Sequence, residues 1–132
     1  MKPTWPATPH MPVAWGEVFD KLTILEIKQL YLTGPQQQES LMRERSAIDV
    51  VVGERQRFPR ELQALIDALH ELNLALWDIE EGPRACEREQ RFDAEFIQLA
   101  RDVYLKNDQR AVIKRRINDL LGSDIREEKS HR

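Results

Sequence analysis

Cysteine is nearly absent from this 132-residue chain: Cys86 stands alone. One thiol cannot close an intrachain disulfide, and a zinc site built on cysteines is excluded. Cys86 itself reads as a small packing residue on a helix. Glycine is scarce, with five residues, and no glycine-rich loop is present to cradle a phosphate. No apolar run approaches the roughly 20 residues that span a bilayer, so no membrane insertion is expected. The N-terminus lacks the apolar stretch of a signal peptide, which makes a cytoplasmic address the default. A basic excess is also missing. The net charge of −3 argues against nucleic acid as a partner. There is no histidine pair with zinc spacing, and no local Ser/His/Asp signature.

What remains is a chain rich in charge (33%) and moderate in hydrophobic residues (41%). That balance argues against disorder and suits one compact, helix-rich domain. We read an all-α, antiparallel bundle of about four helices over residues 16–132, ending in a charged tail, with a proline-rich arm over residues 1–15. Pro3, Pro6, Pro9 and Pro12 recur every third residue, the repeat of a polyproline II helix. The arm is either a frayed extension or a strap that Trp5 and Met11 dock onto the bundle or a partner subunit.

The first helix is expected from Trp15 to about Leu32, with Val18, Leu22, Leu25, Gln29 and Leu32 as its buried stripe. Phe19, Ile24, Ile27, Leu30 and Tyr31 make other sides apolar too, so the helix should pack between neighbours. Glu17 and Lys21, four apart, can pair. Thr33-Gly34-Pro35 is a stop signal. A second helix is expected from about Glu39 to Arg57, with Leu41, Ile48 and Val52 inward, although Val50-Val51-Val52-Gly53 is poor helix sequence. The third begins near Arg60, after Phe58-Pro59, and carries the stripe Leu62, Leu65, Leu69, Leu72, Leu76, Ile79. Gly82-Pro83 should kink or end it. The fourth should run from about Asp93 to Leu121, with Gly122 as its terminal glycine. Asp124 with Glu127 could cap one last turn.

Two of these helices place polar groups where an amphipathic helix would be apolar. On the third, His70, Asn73, Trp77 and Glu80 lie beside the apolar stripe, rotated by about 90°; an unbroken helix would add Arg84. On the fourth, Phe96, Ala100, Val103, Ile117 and Leu121 form the apolar face. Asn107, Arg110 and Lys114 fill its middle, and Asn118 lies at its margin. Antiparallel packing would bring the two segments face to face. Buried charges need partners, and Glu80 can neutralise one of Arg110 and Lys114. The remaining cation would suit an anionic small molecule, a carboxylate or phosphate. Blander readings compete. Arg110 and Lys114 can snorkel to the rim while Asn73 and Asn107 bond each other or water, or the stripe can fix the register of a helical homodimer. His70 reads as capped or exposed rather than catalytic. Asp78, Glu80, Glu81 and Glu87 could in principle hold Mg²⁺, but solvated helix positions explain them, so neither metal nor cofactor is expected.

The segment Gly16-Glu17-Val18-Phe19-Asp20-Lys21-Leu22-Thr23-Ile24-Leu25-Glu26-Ile27-Lys28 resembles the opening motif of an uncharacterised bacterial all-helical family. Leu76-Trp77-Asp78-Ile79-Glu80-Glu81 with Arg84, Phe96-Ile97, Leu99-Ala100-Arg101, Val103-Tyr104, Asn107-Asp108, Arg110-Ala111 and Glu127-Glu128-Lys129-Ser130 resemble it too. The resemblance covers most of residues 16–131. It implies a helical fold, unknown function and, for some members, association with glycosyltransferase or surface-polysaccharide genes. A second uncharacterised family shares the looser pattern His70, Asn73, Trp77, Glu80, Arg84. This chain departs from the first family at Gly82-Pro83, at His131 where an aromatic is typical, and in its proline arm.

The resulting expectation is a dimeric helical protein binding a polar or anionic, saccharide-related small molecule through Asn73, Trp77, Glu80, Arg84, Asn107, Arg110, Lys114 and Asn118. The alternatives are a helical-bundle enzyme of the chorismate-mutase type, in which Arg and Lys bind a dianion, and a non-catalytic oligomeric adaptor.

Overall fold

A computed structural model describes residues 4–54 and 57–125. Four helices carry the chain: α1 Trp15–Tyr31, α2 Pro35–Val52, α3 Arg60–Arg88 and α4 Ala94–Leu121. Contacts fix their directions. Asn73 reaches Asp20 and Trp77 stacks on Tyr31, so α1 and α3 run the same way. Asn118 meets Gly16 and Arg110 meets Asp20, so α4 runs against both. Lys21 pairs with Glu44 and Gln29 with Arg45, setting α2 on α1. The helix α1 is thus sandwiched between α2 on one side and the α3–α4 hairpin on the other, as its broadly apolar surface predicted.

The apolar core lies where the starts of α1 and α3 meet the end of α4. Phe19, Leu22, Leu62, Ile66, Leu69 and Ile117 form it, with Trp15 and Phe58 at its edge. Phe19 stacks on Trp15 and meets Phe58 edge-on. Each large side chain removed from water here stabilises the fold by about 1.5–3 kcal/mol. The buried stripe of α1 is rotated from the expected one. Leu22 and Leu25 are buried, but Val18, Gln29 and Leu32 are half-exposed, and Gly16, Phe19, Asp20, Thr23 and Ile27 are inward. The cause is the hairpin: two neighbours demand a broader inward surface than one stripe supplies. The pair Glu17–Lys21 does not form, because each has a nearer partner in another helix, Lys114 and Glu44 respectively.

The helix ends follow local chemistry. Pro35 occupies the first turn of α2, where its missing N–H costs nothing. The Gly34 N–H donates to Gln37 Oε1 at 3.2 Å. The helix therefore starts four residues before Glu39. It stops at Val52 rather than Arg57, because Gly53 turns to φ 77°. Leu41 is buried and Ile48 and Val52 half-buried, as their shared face predicted. The Asp93 side chain caps α4 by accepting the Phe96 N–H, and Gly122 closes it at φ 64°. Glu127, the proposed partner of Asp124, and His131 lie outside the described residues, as does Pro3.

Gly82-Pro83 neither ends nor replaces α3, which continues through both to Arg88. Interior proline costs a helix about 3 kcal/mol. Tertiary packing past the proline offsets this. Cys86, 1% exposed, packs inward as a small core residue, and Gly82 lets the Leu99 side chain of α4 approach closely. An ion pair of Glu81 with Arg88 bridges the proline on the outside. Arg88, by hydrogen bond and charge, holds the Glu81 carboxyl below its usual range. The turn into α4 then passes through Gln90 at φ 56°.

Candidate functional site

A polar cluster occupies the seam between α1, α3 and α4, one turn beyond the apolar core, and its hub is Asp20. This side chain is 5% exposed, on the line Gly16, Asp20, Thr23, Ile27 that α1 turns toward the hairpin. Arg110 grips the carboxylate with two nitrogens, Nε to Oδ1 at 3.0 Å and Nη2 to Oδ2 at 3.0 Å. Asn73 donates Nδ2–H to Oδ1 at 3.0 Å and also to Thr23 Oγ1 at 2.9 Å. Thr23 in turn donates to the backbone carbonyl of Asp20 at 2.9 Å. Lys114 lies with Nζ 2.6 Å from Glu17 and 3.9 Å from Asp20 Oδ2. Asn107 accepts from Arg110 Nη1 at 3.1 Å, fixing the guanidinium plane.

Charge decides what this cluster can do. Arg110 and Lys114 are matched by Asp20 and Glu17, two cations against two carboxylates. The surplus positive charge that the sequence reading assigned to the facing helices is therefore not there. Asp20 supplies the neutralisation expected of Glu80. The α1 helix covers the polar stripe, so the stripe is an internal seam rather than an exposed one.

Of the residues singled out from sequence, Asn73, Asn107, Arg110 and Lys114 converge on Asp20. Asn118 lies one turn below, in a different role. Its Oδ1 accepts the Gly16 N–H at 2.6 Å, and Ser123 Oγ accepts the Trp15 N–H at 3.0 Å. Ala14, which precedes α1, offers no side-chain cap, so the end of α4 satisfies the orphan amides at the start of α1. Trp77 sits one turn above the cluster, stacked on Tyr31 at 5.6 Å between ring centroids. Glu80 and Arg84 point away. They approach each other to 4.0 Å with 55% and 72% of their side chains exposed, and neither reaches α4's cations. His70 is half-buried and joins none of the cluster's bonds. The sequence reading missed Asp20, Glu17 and Thr23.

A cavity of about 560 Å³ opens on the other side of Asp20. Thr8, Pro9, His10 and Met11 of the arm form one wall; Val18, Ile24, Ile48 and Val51 supply an apolar floor across α1 and α2. Glu17, Asp20 and Lys21 bring the polar groups. Trp5 does not dock on the bundle, being 82% exposed, whereas Met11 lines the cavity while remaining largely exposed itself. A volume of this size, mostly apolar with a few convergent polar groups, is the usual form of a small-molecule site. Compared with models of protein families, with curated proteins and with solved structures, the chain matches none. Among the described residues, no group of three or more His, Cys, Asp or Glu side chains is placed to hold a metal, and no helix is long and apolar enough to cross a membrane.

Proposed function

We propose that this protein binds a small molecule with an apolar body and an uncharged, hydrogen-bond-donating end in the cavity between the arm, α1 and α2. One observation carries the reading: Asp20 belongs both to the buried network and to the cavity wall. An ionised carboxylate offers about four acceptor positions. Arg110 and Asn73 use three at Asp20, and Lys114 Nζ stands 3.9 Å from Oδ2, beyond hydrogen-bond distance, so one position on Oδ2 is left for a hydroxyl or amide. Val18, Ile24, Ile48 and Val51 suit the apolar body. An anion on that wall would face Glu17 and Asp20; Lys21, the lysine on the same wall, is paired with Glu44, and Arg110 and Lys114 are engaged behind it. The chorismate-mutase alternative has less support for the same reason, since neither Arg110 nor Lys114 lines the cavity. Hydroxylated ligands also fit the resemblance to a helical family with saccharide-associated members, to which we assign the chain as part of this proposal, with a cytoplasmic setting.

The test is a thermal-shift panel on the full chain, with alkyl and aryl glycosides beside simple phosphates and carboxylates. A ligand bound by the folded state alone raises Tm as its concentration rises. Glycosides should raise it, and Ala47→Trp, which fills the cavity from α2, should remove the response. A response confined to phosphates and carboxylates, or an equal one in Ala47→Trp, overturns the proposal.

A further inference from the structure

The α3–α4 hairpin has a second face, turned away from α1. Along it runs a groove that widens into two cavities, of about 680 and 560 Å³. Its floor is apolar: Leu65, Leu72, Ile113 and Leu120, with Val112 43% exposed. Ala64, Ala68 and Ala75 keep the α3 wall low. Charges stand on the walls by helix. Glu61 and Glu71 belong to α3, and Arg116 and Lys106 to α4, with Glu61 and Arg116 lining the first cavity and Glu71 and Lys106 the second. Among the described residues, none of these four makes an ion pair, while many surface charges elsewhere do. Asp119, on the α4 wall, is already engaged within the chain.

We infer that this groove is occupied by a second copy of the same chain. A twofold axis parallel to the groove lays α3 of one protomer over α4 of the other at the same height, running antiparallel. Glu61 then comes within about one helical turn of the other copy's Arg116, and Glu71 of its Lys106, within reach of these long side chains, each pair occurring twice because a twofold interface is self-complementary. The apolar floors meet between them, and the two hairpins together form a four-helix bundle with antiparallel neighbours. A twofold axis across the groove instead sets α3 on α3 and acid against acid, so charge selects the first arrangement. The groove spans about four helical turns, roughly 22 Å. Two helices wide, it covers on the order of 900 Å² over both copies, the size of a weak, concentration-dependent interface. This face is opposite the arm cavity, and the inference does not depend on the proposed ligand.

Sedimentation of the full chain across a concentration series decides it. A monomer–dimer equilibrium is expected, weakening as salt rises. Glu71→Lys and Lys106→Glu should each weaken dimerisation about tenfold or more, since each reversal acts twice and sets like charges together. The double variant should restore it. Both positions flank the groove outside the core, and an unchanged melting temperature by circular dichroism verifies that the variants fold. A chain monomeric up to millimolar concentration overturns the inference, as does a dimer indifferent to the single reversals or not restored by the double.

Discussion

Arg110 holds Asp20 through two parallel contacts of 3.0 Å, joining α4 to α1 across a seam where the acid is 7% and the guanidinium 27% exposed by side chain. Removing one member of such a pair leaves the other charge without its match in a poorly solvated place. Asp20→Ala should lower stability by about 3–5 kcal/mol, read by denaturant unfolding. Asp20→Leu combined with Arg110→Leu should lose much less, because no charge is then stranded. A double variant as unstable as Asp20→Ala would show that shape, not charge, governs this position.

Gly16 and Gly82 make different predictions from similar sequence. A Cβ at Gly16 would lie 2.5 Å from the Lys114 carbonyl oxygen, a backbone atom that cannot move without α4. Gly16→Ala should therefore cost about 1–3 kcal/mol or more. At Gly82 the obstacle is the flexible end of Leu99, at 2.9 Å. Helix propensity favours alanine there by about 1 kcal/mol, but the Pro83 ring crowds a Cβ on the helical residue before it, so Gly82→Ala should cost less than Gly16→Ala. Equal losses at both sites in thermal melts would refute the distinction.

Gln90 sits at φ 56° in the turn that closes α3. The Arg91 N–H donates to the Cys86 carbonyl at 2.9 Å and the Gln90 N–H to that of Glu87 at 3.1 Å, the bond pair of a Schellman turn, whose left-handed residue is normally glycine. Gln90→Gly should raise stability by up to about 1 kcal/mol. A loss of stability would mean that the Gln90 side chain, which donates to the Glu87 carbonyl, outweighs the backbone strain.

Glu81 gives a pH signature. Its carboxyl is held below the usual range by Arg88, so the bridge across Pro83 is complete above the unfolded-state value and lost as pH falls through the lower folded one. Glu81→Gln should speed amide exchange near residues 84–88 at neutral pH. The difference from the parent chain should vanish in acid. A difference that persists there would rule out the ion pair as its cause.

Much of this architecture is legible in the residues. Thr33-Gly34-Pro35, Pro59, Asp93 and Gly122 mark helix ends because each acts through local backbone chemistry. The inward turn of Asn107, Arg110 and Lys114 follows from their place between Val103 and Ile117. Asp20 was harder to see. An acid between Phe19 and Lys21 reads as solvent-facing when α1 is assigned the stripe Val18, Leu22, Leu25. The available signal was weak: Gly16, Asp20 and Thr23 share a line with Ile27, but Glu17, Lys21 and Lys28 make a second polar line that reads as the solvent face. Glu80 and Arg84 were misplaced because helical phase fixes a face but not which neighbour covers it, and the side of α3 that carries them is left exposed. The continuity of α3 through Pro83 depends on Cys86 and Leu99, contacts that no local rule contains.

The placement of α2 has a kinetic consequence. It leans chiefly on α1, with Leu41 its one buried side chain, while α1, α3 and α4 interlock with one another. Peripheral pieces with few inward contacts open first. Detachment of α2 about the Thr33-Gly34 link would take away the part of the cavity floor made by Ile48 and Val51 without disturbing Asp20 or Arg110. Entry and exit at the arm cavity would then be timed by how often this outer helix lifts, a rate measurable as faster solvent exchange of its amides than of those in the other three.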